Sequence, residues 1–187
     1  PLSAKSIKNI HGVLHKALKQ AVLIGYLRTN PTEACILPRI IRKEMHPLEE
    51  DQVAVFLREV QGHPHEYLYK IALFTGLREG EVLGLGWEHI DFQAGTLTVK
   101  RQLRREQKKG GEYYFSPPKN NKSRCLTLAP SVIQLFRLQK LEQNSMRMEA
   151  GDAWEEHGLI FTNQTGGYLS YRTVYDCFKR IVRNIGA

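Results

Sequence analysis

Apolar residues at three- and four-residue spacing open the chain. Ile7, Ile10, Leu14, Ala17, Leu18 and Ala21 recur across residues 3–24, and Lys5, Lys8, Lys16 and Lys19 share the opposite face. That spacing predicts one amphipathic helix, with Ser3 as its N-cap and Gly25 at its end. Asn30-Pro31 marks a turn into a short helical segment that stops before Pro38, and the polar stretch 39–44 reads as a linker. His46-Pro47 is a new start signal, with Glu49, Glu50 and Asp51 in the first turn and Val53, Phe56, Leu57 and Val60 at helical spacing through residue 61. A further helix is expected over residues 66–74. The period then changes from helical to alternating. Residues 96–99, 113–116 and 125–128 read as strands of a three-stranded antiparallel sheet. On this reading residues 104–111 form the loop between the first two strands, and residues 117–122 form the turn between the second and third. Helical spacing returns over residues 131–149, and residues 159–161 are a short extended piece. Ser170 can cap a last helix that runs to about Asn184 with Val174, Phe178, Ile181 and Val182 inward. The expected fold is α+β and mainly helical.

Composition narrows the class. Of 187 residues, 42% are hydrophobic and 25% charged, which supports a folded core rather than disorder. The longest apolar run, residues 21–27, is far below the roughly 20 residues of a membrane-crossing helix, so no membrane partner is expected. Cys35, Cys125 and Cys177 have neither pairing arithmetic nor metal spacing, which fits a reducing cytoplasm and calls for no cofactor. The net charge of +8 is unevenly placed. Residues 1–44 hold eight basic and two acidic residues, 45–99 three and nine, 100–124 nine and two, and 125–187 seven and six. Two basic blocks flank an acidic one. A polyanion is the natural partner of such blocks, and solvated basic faces are the alternative.

Two places along the chain could carry chemistry. Thr75-Gly76-Leu77-Arg78 sets an arginine between a helix-breaking glycine and the next helix, where flanking elements can hold it still. Glu81, three residues on, lies one turn along and can accept from the guanidinium; an ordinary surface pair is the alternative. Lys119 lies between a proline pair and Asn120-Asn121, a mobile point charge suited to a phosphate or to protonating a leaving oxygen. Lys122 and Arg124 follow at the base of the same turn, and a hairpin that only touches phosphates is equally compatible. His11 with His15 and His63 with His65 bring no third ligand at metal spacing. Gly166-Gly167 is a turn without the Lys-Ser/Thr of a phosphate loop.

The stretch Phe74-Thr75-Gly76-Leu77-Arg78-Glu79-Gly80-Glu81-Val82-Leu83-Gly84-Leu85, followed by Trp87 and Ile90-Asp91-Phe92, resembles the first arginine box of tyrosine recombinases, the phage-integrase family. Pro118-Lys119-Asn120-Asn121-Lys122-Ser123-Arg124 with Leu126-Thr127-Leu128 is similar to the hairpin that carries the family's lysine. The resemblance implies that residues 1–44 are the end of a helical core-binding domain with its linker, and residues 45–187 the N-terminal part of a catalytic domain. It implies that Arg78 binds the scissile phosphate, Glu81 supports it, and Lys119 protonates the departing 5′-oxygen. It also implies a tyrosine nucleophile that forms a 3′-phosphotyrosyl link, with four protomers acting on two duplexes of recombination-site DNA.

Lys5, Lys8, Lys16 and Lys19 in the first block, and Arg101, Arg104, Arg105, Lys108, Lys109, Lys122 and Arg124 in the second, are the expected DNA contacts, approaching the duplex from opposite sides. No His-x-x-Arg follows Lys119, and Tyr168, Tyr171 and Tyr175 precede the place where that second box is expected, so they read as packing or surface residues. The expectation is therefore a fragment, starting inside one domain and ending inside another, that binds DNA without completing strand cleavage. The competing reading is a non-catalytic DNA-binding regulator built on a shortened integrase fold. An RNA-binding module lacks its paired stacking aromatics.

Overall fold

A computed structural model describes residues 2–41, 47–108 and 110–186. Residues 42–44 of the expected linker, His46 of the start signal and the candidate DNA contact Lys109 lie outside the described residues. The chain divides into two compact units, Pro1–Pro47 and Leu48–Ala187.

In the first unit the amphipathic pattern forms helix α1 (Ala4–Leu23), and the Ser3 hydroxyl accepts the Ser6 N–H at 3.1 Å. A 3-10 turn over Pro31–Ala34 packs on it through a polar knot rather than an apolar seam. The His11 Nε2–H donates to the Thr32 carbonyl at 3.0 Å, and His15 Nδ1 lies 2.9 Å from the Thr32 hydroxyl. Asn30 donates to the His15 carbonyl and accepts from both the Thr32 N–H and its hydroxyl. Buried Asn30 and Thr32 are thereby satisfied. No residue of α1 is buried, and its apolar stripe stays open, with Ile10 57% and Leu14 49% exposed.

The second unit holds the core. Helix α2 (Glu50–Glu59) begins three residues later than the Pro47 signal predicts, because the Gln52 side chain accepts the Glu49 N–H at 3.0 Å and makes Glu49 the N-cap. Helix α3 (Glu66–Thr75), the short helix α4 (Glu79–Leu83) and a 3-10 turn over Trp87–His89 follow. Helices α5 (Pro130–Ala150) and α6 (Tyr171–Asn184) close the unit. Phe56, Val60, Ile71, Val82, Leu97, Val99, Phe136 and Ile160 are buried together, each apolar face removing its area from water. The extended piece 159–161 docks by backbone bonds, Ile160 N–H to the Leu85 carbonyl and Trp87 N–H to the Gly158 carbonyl. Gln139 on α5 donates to the Ile160 carbonyl, and Gln143 donates to the carbonyls of Leu159 and Ile160.

The strands form two sheets rather than the one expected. Strands β1 (Ile90–Asp91), β2 (Thr96–Val99) and β5 (Arg124–Thr127) make an antiparallel sheet in the order β1-β2-β5, with Leu97 opposite Leu126. Strands β3 (Gln102–Arg105) and β4 (Tyr113–Ser116) make a separate hairpin, with Leu103 opposite Phe115. Residues 113–116 therefore do not join residues 96–99, and the first part of the expected 104–111 loop is strand. The reason is edge occupancy: β1 and β5 fill both edges of β2, so β4 pairs with the neighbouring strand, where Leu103 supplies the one buried anchor.

Candidate active site

The Arg78 turn is built by backbone geometry. Gly76 closes α3 at φ 62°, a left-handed conformation that glycine adopts without strain, and the chain re-enters helix at Glu79. Arg78 thus sits at the N-cap of α4, its N–H donating to Glu81 Oε2 at 2.9 Å and its Nη1 to Oε1 at 3.1 Å. Helix α4 can lie directly on β3 because its near face is glycine. A Cβ on Gly80 would stand 3.1 Å from the Leu103 carbonyl oxygen, and one on Gly84 2.8 Å from the Leu103 nitrogen.

Glu81 is the centre of the cluster. Its side chain is 1% exposed, and Arg124 delivers a two-pronged contact, Nη1 to Oε1 at 2.9 Å and Nη2 to Oε2 at 2.7 Å. Those bonds from Arg124, with the Arg78 N–H and guanidinium, outweigh burial and hold the carboxyl at about 2. Two guanidiniums on one carboxylate leave one positive charge over. It is carried toward solvent by Arg78, whose side chain is 59% exposed while its base is held. The neighbouring Glu79 behaves oppositely. It lines an apolar cavity of about 370 Å³ with Phe56, Tyr69, Leu77 and Phe178, and its Oε1 is buried with no hydrogen-bond partner among the described residues. Burial pushes its pKa up to about 7.

The other candidates are placed less tightly. Lys119 and Lys122 are exposed on a turn closed by the Asn121 N–H on the Pro118 carbonyl at 2.8 Å. Arg101 bonds Glu88 and the Gly84 carbonyl, each at 3.0 Å, and lies 4.1 Å from the Phe115 ring centroid. Arg105 donates to the Gly111 carbonyl over the Tyr113 ring, Lys108 pairs with Glu106, and Arg104 is exposed. Lys5, Lys16 and Lys19 are exposed on α1 and Lys8 is half-buried, all in the first unit. Tyr168 is stacked between Tyr113 and His157, at 5.1 and 4.6 Å between ring centroids, whereas Tyr171 and Tyr175 stack on each other at the surface.

The structure thus brings Arg78, Glu81 and Arg124 together. The Arg78–Glu81 contact was legible from the three-residue spacing. The Arg124–Glu81 contact was not, since it joins residues 43 positions apart on a strand and a helix.

Residues 46–187 match the model of the phage integrase family. The chain belongs to that family. It is 27% identical over 200 residues to a XerC-like tyrosine recombinase of Caldanaerobacter subterraneus, covering 98% of this chain and 51% of that protein. It is 28% identical over 191 residues to an integrase of Streptomyces ambofaciens, covering 98% of this chain and 48% of the relative. The chain spans about half the length of these curated relatives. Among solved structures, the Tn1549 transposon integrase in complex with a circular intermediate DNA superimposes with a TM-score of 0.80 at 25% identity, over 98% of this chain and 59% of that one. A lambda integrase dimer bound to a core site shares the fold, with a TM-score of 0.62 at 21% identity. Mainly helical α+β architecture with small antiparallel sheets is common to them. Among the described residues no helix is long and apolar enough to cross a membrane.

Proposed function

We propose that this chain supplies the DNA-binding and phosphate-activating part of a site-specific tyrosine recombinase, with double-stranded DNA as its partner. The observation that carries the reading is the Arg78–Glu81–Arg124 cluster: a buried, doubly neutralised carboxylate fixing an outward-facing guanidinium. A phosphodiester attacked in line gains charge on its non-bridging oxygens. A pre-positioned fork stabilises that charge without reorganising at the moment of reaction. Lys119, on an exposed turn, donates a proton to the departing 5′-oxygen, and Lys122 contacts the flanking backbone. Attack by a tyrosine to form a 3′-phosphotyrosyl link, and assembly of four protomers on two duplexes, belong to the proposal for the whole recombinase. The first unit is read as the end of a core-binding domain and the second as catalytic, so basic residues on both contact the duplex.

The test has two arms. Affinity of this chain for duplex DNA should fall steeply as salt rises from about 50 to 200 mM, through release of counterions from neutralised phosphates. Salt-independent affinity would overturn the DNA reading. In the full-length recombinase, Arg78→Ala and Lys119→Ala should slow cleavage of a suicide substrate by about 100-fold or more while binding persists. Cleavage that never occurs even with all residues intact would favour the DNA-binding regulator.

A further inference from the structure

The turn that carries Lys119 is exposed and short of internal bonds, yet both of its ends return to the same helix. At its start, the Gln102 Nε2 donates to the Pro117 carbonyl at 2.6 Å. Gln102 itself lies against α4: a Cβ on Gly80 would stand 3.6 Å from the Gln102 Cβ and 3.7 Å from its Oε1. At its end, Arg124 opens β5 and places both guanidinium prongs on Glu81 of α4. Between these anchor points run residues 118–123, with Lys119 and Lys122 facing solvent.

We infer that Gln102 and Arg124 are positioning residues that tether the two ends of the Lys119 turn to the helix bearing Arg78 and Glu81. The inference deepens the proposed function and rests on it for the meaning of Lys119. A lysine on a free turn samples many positions. Fixing both ends of the turn to α4 fixes the region in which its ammonium moves relative to the Arg78 guanidinium. Gln102 suits the task because it pairs with Ser116 across the β3–β4 ladder, so its side chain leaves the sheet beside the residue that begins the turn. Arg124 has a double use. It neutralises Glu81, and by doing so from the first residue of β5 it pins the turn's exit.

Gln102→Met keeps the length of the side chain and removes the amide that donates to Pro117. In this variant, hydrogen exchange of the Asn121 amide, the N–H that the Pro118 carbonyl holds within the turn, should quicken by about tenfold, with exchange in α3 and α5 unchanged. Glu81→Gln with Arg124→Met, which removes the second tether without stranding a charge, should quicken the same amide. Unchanged exchange in both variants overturns the tether. A double-mutant cycle on duplex affinity gives the reading that a merely structural residue would not move. Lys119→Ala should weaken binding about fivefold in the unmodified chain and less than about twofold in Gln102→Met, whereas Lys16→Ala should cost the same in both. Equal Lys119→Ala costs in both backgrounds would overturn the positioning role. If Lys119→Ala leaves the unmodified chain's affinity untouched, the DNA reading of Lys119 falls, and the exchange data alone decide the tether.

Discussion

The two basic regions of this molecule use their charges in opposite ways. On α1, Lys5, Lys16 and Lys19 stand in solvent on a helix with no buried residue. Around α4, Arg78 and Arg124 converge on a carboxylate that is 1% exposed. A compact, hydrated lysine ammonium in solvent attracts any phosphate within a Debye length and fixes no geometry. A guanidinium braced by a buried carboxylate loses part of its attraction to that partner but points in a defined direction. The difference teaches that charge count alone describes affinity for a polyanion, while the buried counter-charge marks the place where chemistry needs orientation.

The comparison breaks most visibly at Arg124. Arg124→Met should destabilise the second unit by about 3 kcal/mol, read as a lowered midpoint in urea unfolding, because Glu81 keeps only Arg78 as a charged partner. Adding Glu81→Gln should restore most of that loss. A single variant as stable as the parent would show that the cluster is ordinary surface pairing. Acid provides a second probe of nearly the same size. Glu81 is held at about 2, below the ordinary carboxylate value near 4.5. Its contribution is therefore complete above about pH 5 and is lost as pH falls through 2. Unfolding free energy should drop by about 3 kcal/mol over that window through this group, and Glu81→Gln should flatten the slope.

Much of this was legible in the chain, and the parts that were not share one cause. The helices at residues 66–74, 131–149 and 170–184 follow from a single side-chain period, and the glycine-then-arginine turn follows from local backbone rules. The sheet did not. Gln102-Leu103-Arg104-Arg105 carries one apolar residue among three polar ones, so nothing local distinguishes it from a basic loop. Its strand state comes from Leu103 being buried opposite Phe115. Arg124 poses the same difficulty. Its place in a basic turn fits a phosphate contact, and no local signal shows that Glu81, 43 positions away, pairs with its guanidinium. The apolar stripe of α1 is legible as a helix face, but burial of such a face depends on what packs against it, which periodicity does not state.

Glu79 sharpens the comparison from within α4, two positions from Glu81 and with the opposite sign. Its pKa is raised to about 7 by burial, so its favourable contribution is present below about pH 4.5 and is lost as pH rises through 7. Glu79→Gln should therefore raise stability at pH 8, by about 1 kcal/mol once partial solvent screening is allowed for, and leave it nearly unchanged at pH 4. Chemical denaturation at the two pH values checks this. An equal effect at both would mean that the carboxyl does not ionise in this range.

The smallest effect on the fold is expected on α1, where the charges carry no structural duty. Lys5→Ala, Lys16→Ala or Lys19→Ala should each change stability by less than about 0.5 kcal/mol, since each removes an exposed ammonium from a helix surface and replaces it with a better helix former. Their effect should appear only in the salt dependence of DNA binding. The slope of log affinity against log salt should shrink by about 0.9 for each lysine that neutralises a phosphate, and equally on any duplex sequence. Arg78→Ala should shrink the slope by a similar amount, but it alone should also slow suicide-substrate cleavage, by about 100-fold or more, in a recombinase that carries this site. A lysine whose removal left the slope intact would be a solvated face and not a contact. The division between displayed charge and oriented charge would then have to be redrawn within α1 itself.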